Sequence, residues 1–264
     1  MTSNQERHVN VAWLAKPSGD CCLKGHMHVG NPRGKFETIA GVDTYVVSPN
    51  PGMSNGHILF YYADVYGMFT NAQLVMDEFA DAGFLTLGLD YFNNDPIFLH
   101  RNGPKESKEG FDFEAWKNKY AEYAEKKVPE WTAEVKRMYG QPSTKYGCVG
   151  YCFGAPYVCN SLADGTCQAG GFAHPAFLKD HHFRNLKAPL FLSCAEVDHT
   201  FGTESRNKAV DMMIEDGKEY SLQLFHGVEH GFALRANLEV PYEAWVKEQS
   251  LKSLAAYMEF WLSQ

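Results

Sequence analysis

Lys145-Tyr-Gly-Cys-Val-Gly-Tyr-Cys-Phe-Gly-Ala-Pro156 is the stretch that decides the fold. A short apolar strand runs into Gly150-Tyr151-Cys152-Phe153-Gly154, and a helical run begins directly after it. The pentapeptide has the form Gly-x-nucleophile-x-Gly, the sharp strand-to-helix turn that exposes one reactive side chain, here with cysteine in the reactive place. Both glycines answer a steric demand, because a turn this tight leaves no room for a Cβ on either side of a strained residue. The Cys152 sulfur would then lie at a helix N-terminus, where negative charge is favoured and a thiolate is easier to form. A Gly-flanked cysteine after a strand is otherwise only a small buried apolar residue, so the remaining chain has to supply the partners.

Working outward, apolar runs alternate with helical ones. Thr44 to Ser48, His57-Ile-Leu-Phe-Tyr-Tyr62, Leu85 to Asp90, Gln168 to Ala173, Pro189 to Ala195 and Tyr220 to Phe225 read as strands. The continuous apolar ones suit a sheet covered on both faces. Helices are expected at Asn71–Ala82, from Val128 to Tyr139, from Phe153 to Asp164 and from Thr203 to Asp216. The C-terminal helix carries Leu251, Leu254, Ala255, Met258, Trp261 and Leu262 as one stripe. This alternation predicts an α/β chain with a mostly parallel, doubly wound sheet and helices on both faces.

Residues 1–35, rich in Gly, Pro, His and Lys, are expected to be an irregular segment packed on a single domain spanning 36–264. Cys21-Cys22 and His26-Met27-His28 within it make a poor metal site, since adjacent cysteines offer bad ligand geometry and no second cluster accompanies them. No metal or other cofactor is expected. Residues 97–127 turn charged and aromatic, with Arg101, Lys105, Phe111, Phe113 and Trp116, and lack a strand pattern. They are a candidate lid, with a solvated helical face as the alternative.

At 264 residues and 45% hydrophobic, the chain is large enough for one full α/β core. A net charge of −8 argues against nucleic acid or an anionic membrane surface as partner, and no apolar run approaches the roughly 20 residues of a membrane span. The polar start MTSNQERHVN has no apolar signal core, and seven cysteines is an odd count without zinc-ribbon spacing. Reduced thiols and a cytoplasmic location are the expectation.

Cys152, Asp198 and His230 each follow a strand, in the order nucleophile, acid, histidine. That order belongs to the α/β-hydrolases and to neither of the other common triads. His230 is the candidate general base, because an imidazole takes and returns a proton at neutral pH. Asp198 would fix its tautomer, and is preferred to Glu196, which the alternation leaves on the strand end. His199, His226 and His181-His182 are read as ordinary polar residues. The backbone N–H groups of Phe153 and Val65 are the candidate oxyanion hole.

These features resemble the dienelactone hydrolase family: Gly-Tyr-Cys-Phe-Gly around Cys152, the Asp198 loop, His230-Gly-Phe232 and the loop Asp64-Val65-Tyr66-Gly67. The likeness covers about residues 20 to 262, and Cys21-Cys22 with Gly41-Val-Asp-Thr-Tyr45 is similar to the fungal branch. It implies the α/β-hydrolase fold and a thiol that attacks an ester or lactone carbonyl, forming an acyl-enzyme that water releases. Asp64, Tyr66, Arg101 and Arg235 become candidates for activating the thiol or binding substrate. Bacterial members carry glutamate where this chain has Asp64, and place their carboxylate-binding arginine at the position of Leu234, one residue before Arg235. Together with Phe69, Phe92, Phe98, Phe111 and Trp116, this points to a less polar small-molecule substrate, such as an aromatic or polyketide-derived ester, lactone or thioester. An acyl-thioesterase or acyltransferase is the alternative within the same fold. A small-molecule binding protein with an idle triad is the alternative outside it.

Overall fold

A computed structural model describes residues 12–18, 25–103 and 106–264. Its centre is an eight-stranded sheet ordered β12-β11-β9-β8-β4-β5-β3-β2. The strands are β2 (Lys35–Ile39), β3 (Val42–Val47), β4 (Ile58–Tyr62), β5 (Leu85–Leu89), β8 (Tyr146–Tyr151), β9 (Ala169–Ala173), β11 (Leu190–Val197) and β12 (Tyr220–Glu229). From β12 to β5 every neighbouring pair is parallel, while β3 and β2 close one edge antiparallel. This is the α/β-hydrolase arrangement, with the elbow strand β8 in the middle between β9 and β4.

Strand β4 illustrates why the centre reads as unbroken apolar sequence. All five of its residues are buried, because each face of the sheet is covered. Phe60 meets Trp131 of α2 (Phe113–Tyr139) at 5.4 Å, and the Tyr62 hydroxyl lies 3.0 Å from Ser161 of α3 (Ala155–Ala163). Helices α1 (Thr70–Asp81), α6 (Phe232–Arg235) and α7 (Pro241–Ser263) pack on one another, α1 against β3 and β5 and α7 against β8, β9, β11 and β12. On α7 the buried positions are Val246, Ser250, Leu254, Ala255, Met258 and Leu262, recurring every three or four residues as a helix facing a sheet requires. None of the helices among the described residues is long and apolar enough to cross a membrane.

Three expectations about the chain need correcting. The N-terminal segment is not wholly irregular: β1 (Trp13–Ala15) pairs antiparallel with β10 (Leu178–Lys179), and β2 begins at Lys35. Segment 97–127 does contain strands, the small hairpin β6 (Arg101–Gly103) and β7 (Glu106–Ser107). The helix expected from Val128 starts much earlier, at Phe113, and runs through Pro129. Its buried face, Trp116, Tyr120, Ala124, Val128, Trp131 and Val135, is a stripe at helical spacing. Burying that stripe outweighs the one backbone hydrogen bond that Pro129 cannot make. Asp112 caps the helix by accepting from the Ala115 N–H at 2.9 Å. Trp116 Nε1 donates to the Asp95 carbonyl at 2.9 Å, and the Tyr120 hydroxyl donates to the Asp95 carboxylate at 2.6 Å. The first turns of α2 are thereby fastened to the loop after β5.

Candidate active site

The elbow is built as its glycines require. Cys152 has φ of 49°, in the left-handed region that a side-chain-bearing residue rarely occupies. A Cβ on Gly154 would stand 2.2 Å from the Tyr62 carbonyl oxygen, and one on Gly150 would stand 2.7 Å from the Gly154 carbonyl oxygen. Only glycine lets the chain turn this closely against β4, and the turn holds Cys152 in its strained conformation. The residue is completely buried. Its carbonyl oxygen accepts from the Ala176 N–H at 3.0 Å, and its sulfur lies 3.3 Å from the Ser18 hydroxyl.

Asp198 and His230 come together from the ends of the adjacent strands β11 and β12. His230 Nδ1 lies 3.0 Å from both carboxylate oxygens of Asp198, and both side chains are about 1% exposed. Further donors converge on Asp198 Oδ1: the Thr200 N–H at 2.9 Å, the Thr200 hydroxyl at 2.7 Å and the Phe201 N–H at 3.3 Å. Burial by itself would raise the Asp198 pKa, but His230 and the Thr200 donors outweigh it and hold the carboxyl well below the usual range. Thr200 has one hydroxyl proton, which serves Asp198 or the Pro175 carbonyl at 2.8 Å. Glu196 is turned elsewhere, accepting from the Gly227 N–H at 2.8 Å and pairing with the exposed His226 at 2.7 Å.

His174 gave no signal in the sequence. It is fully buried on a left-handed backbone (φ 38°), with its ring 4.8 Å from that of His230. Burial, reinforced by neighbouring His230, keeps its pKa well below the ordinary value, so the ring is neutral. Ser18 and Thr200 were likewise illegible, since a lone Ser or Thr in a loop carries no pattern.

The four candidates for thiol activation or substrate binding separate. Asp64 and Arg235 form a fully buried ion pair, Asp64 Oδ1 accepts from the Tyr66 N–H at 2.9 Å, and the Arg235 guanidinium lies 4.5 Å from the centre of the Tyr66 ring. Arg235, one residue past the position of the bacterial members' arginine, thus points inward and is neutralised. Arg101 instead serves its own hairpin, donating to Gly103 O at 3.3 Å and Ser107 Oγ at 3.0 Å. Val65 and Phe153 are both buried, Phe153 within the elbow itself and Val65 accepting from the Ile97 N–H at 3.0 Å. Phe92, Trp116 and Phe153 are core packing, with Phe92 5.0 Å from Trp116 and 5.1 Å from Phe153. Phe98 and Tyr66 stack at 6.0 Å, and Phe98 remains partly exposed.

Breaking the Asp64–Arg235 pair should be severe. Asp64→Asn removes the carboxylate charge that faces the buried Arg235 guanidinium, and a loss of about 3–5 kcal/mol is expected. Urea unfolding of this variant measures it, and Asp64→Asn combined with Arg235→Met should be the milder of the two. A single variant within about 0.5 kcal/mol of the native chain would contradict the buried pairing.

Two cavities flank the site. One of about 340 Å3 is walled by His230, Arg235, Phe232, Val240 and Tyr242. The other, of about 460 Å3, is walled by Phe153, Tyr157, Phe177, Trp13 and Lys117. Among the described residues, Asp198, His199 and His230 also bring possible metal-ligand atoms within 4.8 Å of one another, but two of the three are committed to the Asp198–His230 hydrogen bond. Cys21 and Cys22 lie outside the described residues.

The chain resembles known proteins along most of its length. It is 40% identical over 258 residues to Dienlactone hydrolase 1 of Gibberella moniliformis, covering 97% of this chain and 98% of that one. It is 31% identical to Hydrolase tropI of Talaromyces stipitatus, over 84% of this chain and 88% of that one. In fold it is similar to TT1662 from Thermus thermophilus, with a TM-score of 0.65 at 16% identity, covering 90% of this chain and all of that one. Residues 42–261 match the model of the dienelactone hydrolase family. With the elbow, the strand order and these likenesses in agreement, the chain belongs to the dienelactone hydrolase family.

Proposed function

We propose that this hydrolase cleaves small carboxylic esters or lactones through a cysteine acyl-enzyme, with Cys152 as nucleophile, His230 as base and acid, and Asp198 as the group that orients it. The observation that carries this reading is the left-handed Cys152 on the elbow after β8, with an Asp198–His230 pair at 3.0 Å at the ends of two further strands of the same parallel sheet. With Nδ1 donating to Asp198, the imidazole presents an acceptor at Nε2, and this nitrogen takes the thiol proton. The sulfur attacks the carbonyl carbon, and the oxyanion meets the N–H groups of Val65 and Phe153. Collapse breaks the carbon–oxygen bond, and His230 returns the proton to the departing oxygen. Water then gives its proton to His230 and attacks the thioester, restoring the thiol and releasing the acid.

The same geometry supports an uncharged or weakly polar substrate. Arg235 is neutralised by Asp64, which removes the obvious partner for a substrate carboxylate. The free thiols of Cys148, Cys152, Cys159, Cys167 and Cys194 support a reducing compartment such as the cytoplasm.

Mass spectrometry after brief mixing with an aryl acetate tests the chemistry: an acetyl group should appear on Cys152 and disappear in water. An acetyl that persists in water but moves to an added alcohol identifies an acyltransferase instead. A turned-over substrate with no adduct on Cys152 would sink the acyl-enzyme.

A further inference from the structure

The Cys152 sulfur has a hydrogen-bonding neighbour that the elbow, the acid and the histidine do not account for. Ser18 is 3% exposed, and its hydroxyl lies 3.3 Å from Sγ, across 134 residues of sequence. It is delivered there by a fastened segment. β1 is paired to β10, the Lys16 N–H donates to the Thr200 carbonyl at 2.8 Å, and the Lys16 carbonyl accepts from the Phe177 N–H at 3.1 Å. Thr200 is the residue whose hydroxyl contacts both Asp198 and His230. The segment carrying Ser18 is therefore tied to the loop that carries the acid, and sets its hydroxyl on the sulfur. Asp64 is engaged elsewhere, by Arg235 and the Tyr66 N–H.

We propose that Ser18 is a further catalytic residue, whose hydroxyl donates a hydrogen bond to the Cys152 thiolate. The inference rests on Cys152 being the nucleophile. In the thiol form either group can donate to the other. Once the thiol proton has passed to His230 the sulfur can only accept, so the hydroxyl proton turns toward it and the hydrogen bond becomes charge-assisted. A bond of that kind is worth roughly a tenfold gain in thiolate. It also damps the nucleophilicity of that thiolate, by about threefold for a Brønsted slope near 0.5, so the net gain in reactivity is about threefold.

A covering role for the same segment makes the opposite prediction, and the rate of alkylation by iodoacetamide separates the two. Followed by mass spectrometry on the Cys152 peptide at neutral pH, the rate should fall about threefold in Ser18→Ala. It should return in Ser18→Thr, which keeps the hydroxyl. Unfolding midpoints of the two variants verify that both are folded. An unchanged rate in Ser18→Ala overturns the proposal, and so does a faster one, which would make Ser18 a cover over the thiol. Should Cys152→Ala retain turnover, the proposed function falls, while the alkylation comparison still decides whether Ser18 donates to this sulfur.

Discussion

Cys152→Ala is expected to remove turnover of an aryl acetate, a fall in kcat/KM of about 10^4-fold or more. The size follows from the covalent route proposed above. Without the sulfur there is no acyl-enzyme, and what remains is water attacking a bound ester beside His230. The fold should survive, since among the described residues the sulfur makes one side-chain hydrogen bond, to Ser18, and the elbow is shaped by Gly150, Gly154 and the β4 carbonyl rather than by the thiol. Cys152→Ser makes the test sharper. It keeps a nucleophile of nearly the same size, but a hydroxyl releases its proton far less readily than a thiol, so most of the rate should still be lost. Steady-state rates on the folded variants settle it. Equal rates in the alanine variant and the native chain would leave a binding protein or a different nucleophile, and full activity in the serine variant would argue against a thiolate.

Why the elbow and the acid–histidine pair could be read from residues alone, while Ser18 and His174 could not, is a matter of range. Gly150-x-Cys152-x-Gly154 is a local steric requirement, printed within five positions, and Asp198 and His230 are found by counting strand ends in a parallel sheet. Ser18 reaches the sulfur only because β1 pairs with β10, and a three-residue strand against a two-residue one leaves no periodicity to detect. His174 is placed by the turn after β9, where a left-handed histidine precedes a proline, a conformation that residue type does not announce. Helix α2 shows the opposite failure. Its stripe from Trp116 to Val135 is present in the sequence, but the charged residues between its first members set 97–127 apart as a candidate lid and leave a shorter helix from Val128. Tertiary burial of Trp116, Tyr120 and Trp131 decided the matter, and local propensity did not.

Asp198→Asn should cost nearly as much activity as loss of the nucleophile, about 10^4-fold in kcat/KM, with the geometry almost unchanged. The reason lies in the donors around the carboxylate. The Thr200 and Phe201 N–H groups and the Thr200 hydroxyl all converge on Oδ1, so an asparagine must put its amide oxygen there. Its amide NH2 then faces His230 Nδ1, which has to become an acceptor, and the ring proton moves to Nε2. An imidazole protonated at Nε2 cannot take the thiol proton, so the defect is one of tautomer. Stability should report the same pair through pH. The Asp198 pKa is depressed in the folded chain, so its stabilising contribution is complete above the unfolded-state value near 3.9 and fades as pH falls below it. The gap in unfolding free energy between native and Asp198→Asn chains should therefore be widest at neutral pH and narrow below about pH 4. Urea titrations at neutral and acidic pH, run beside the kinetics, read both effects. An asparagine variant within tenfold of native activity would mean that His230 draws its orientation from another group, and the acid assigned here would have to be given up.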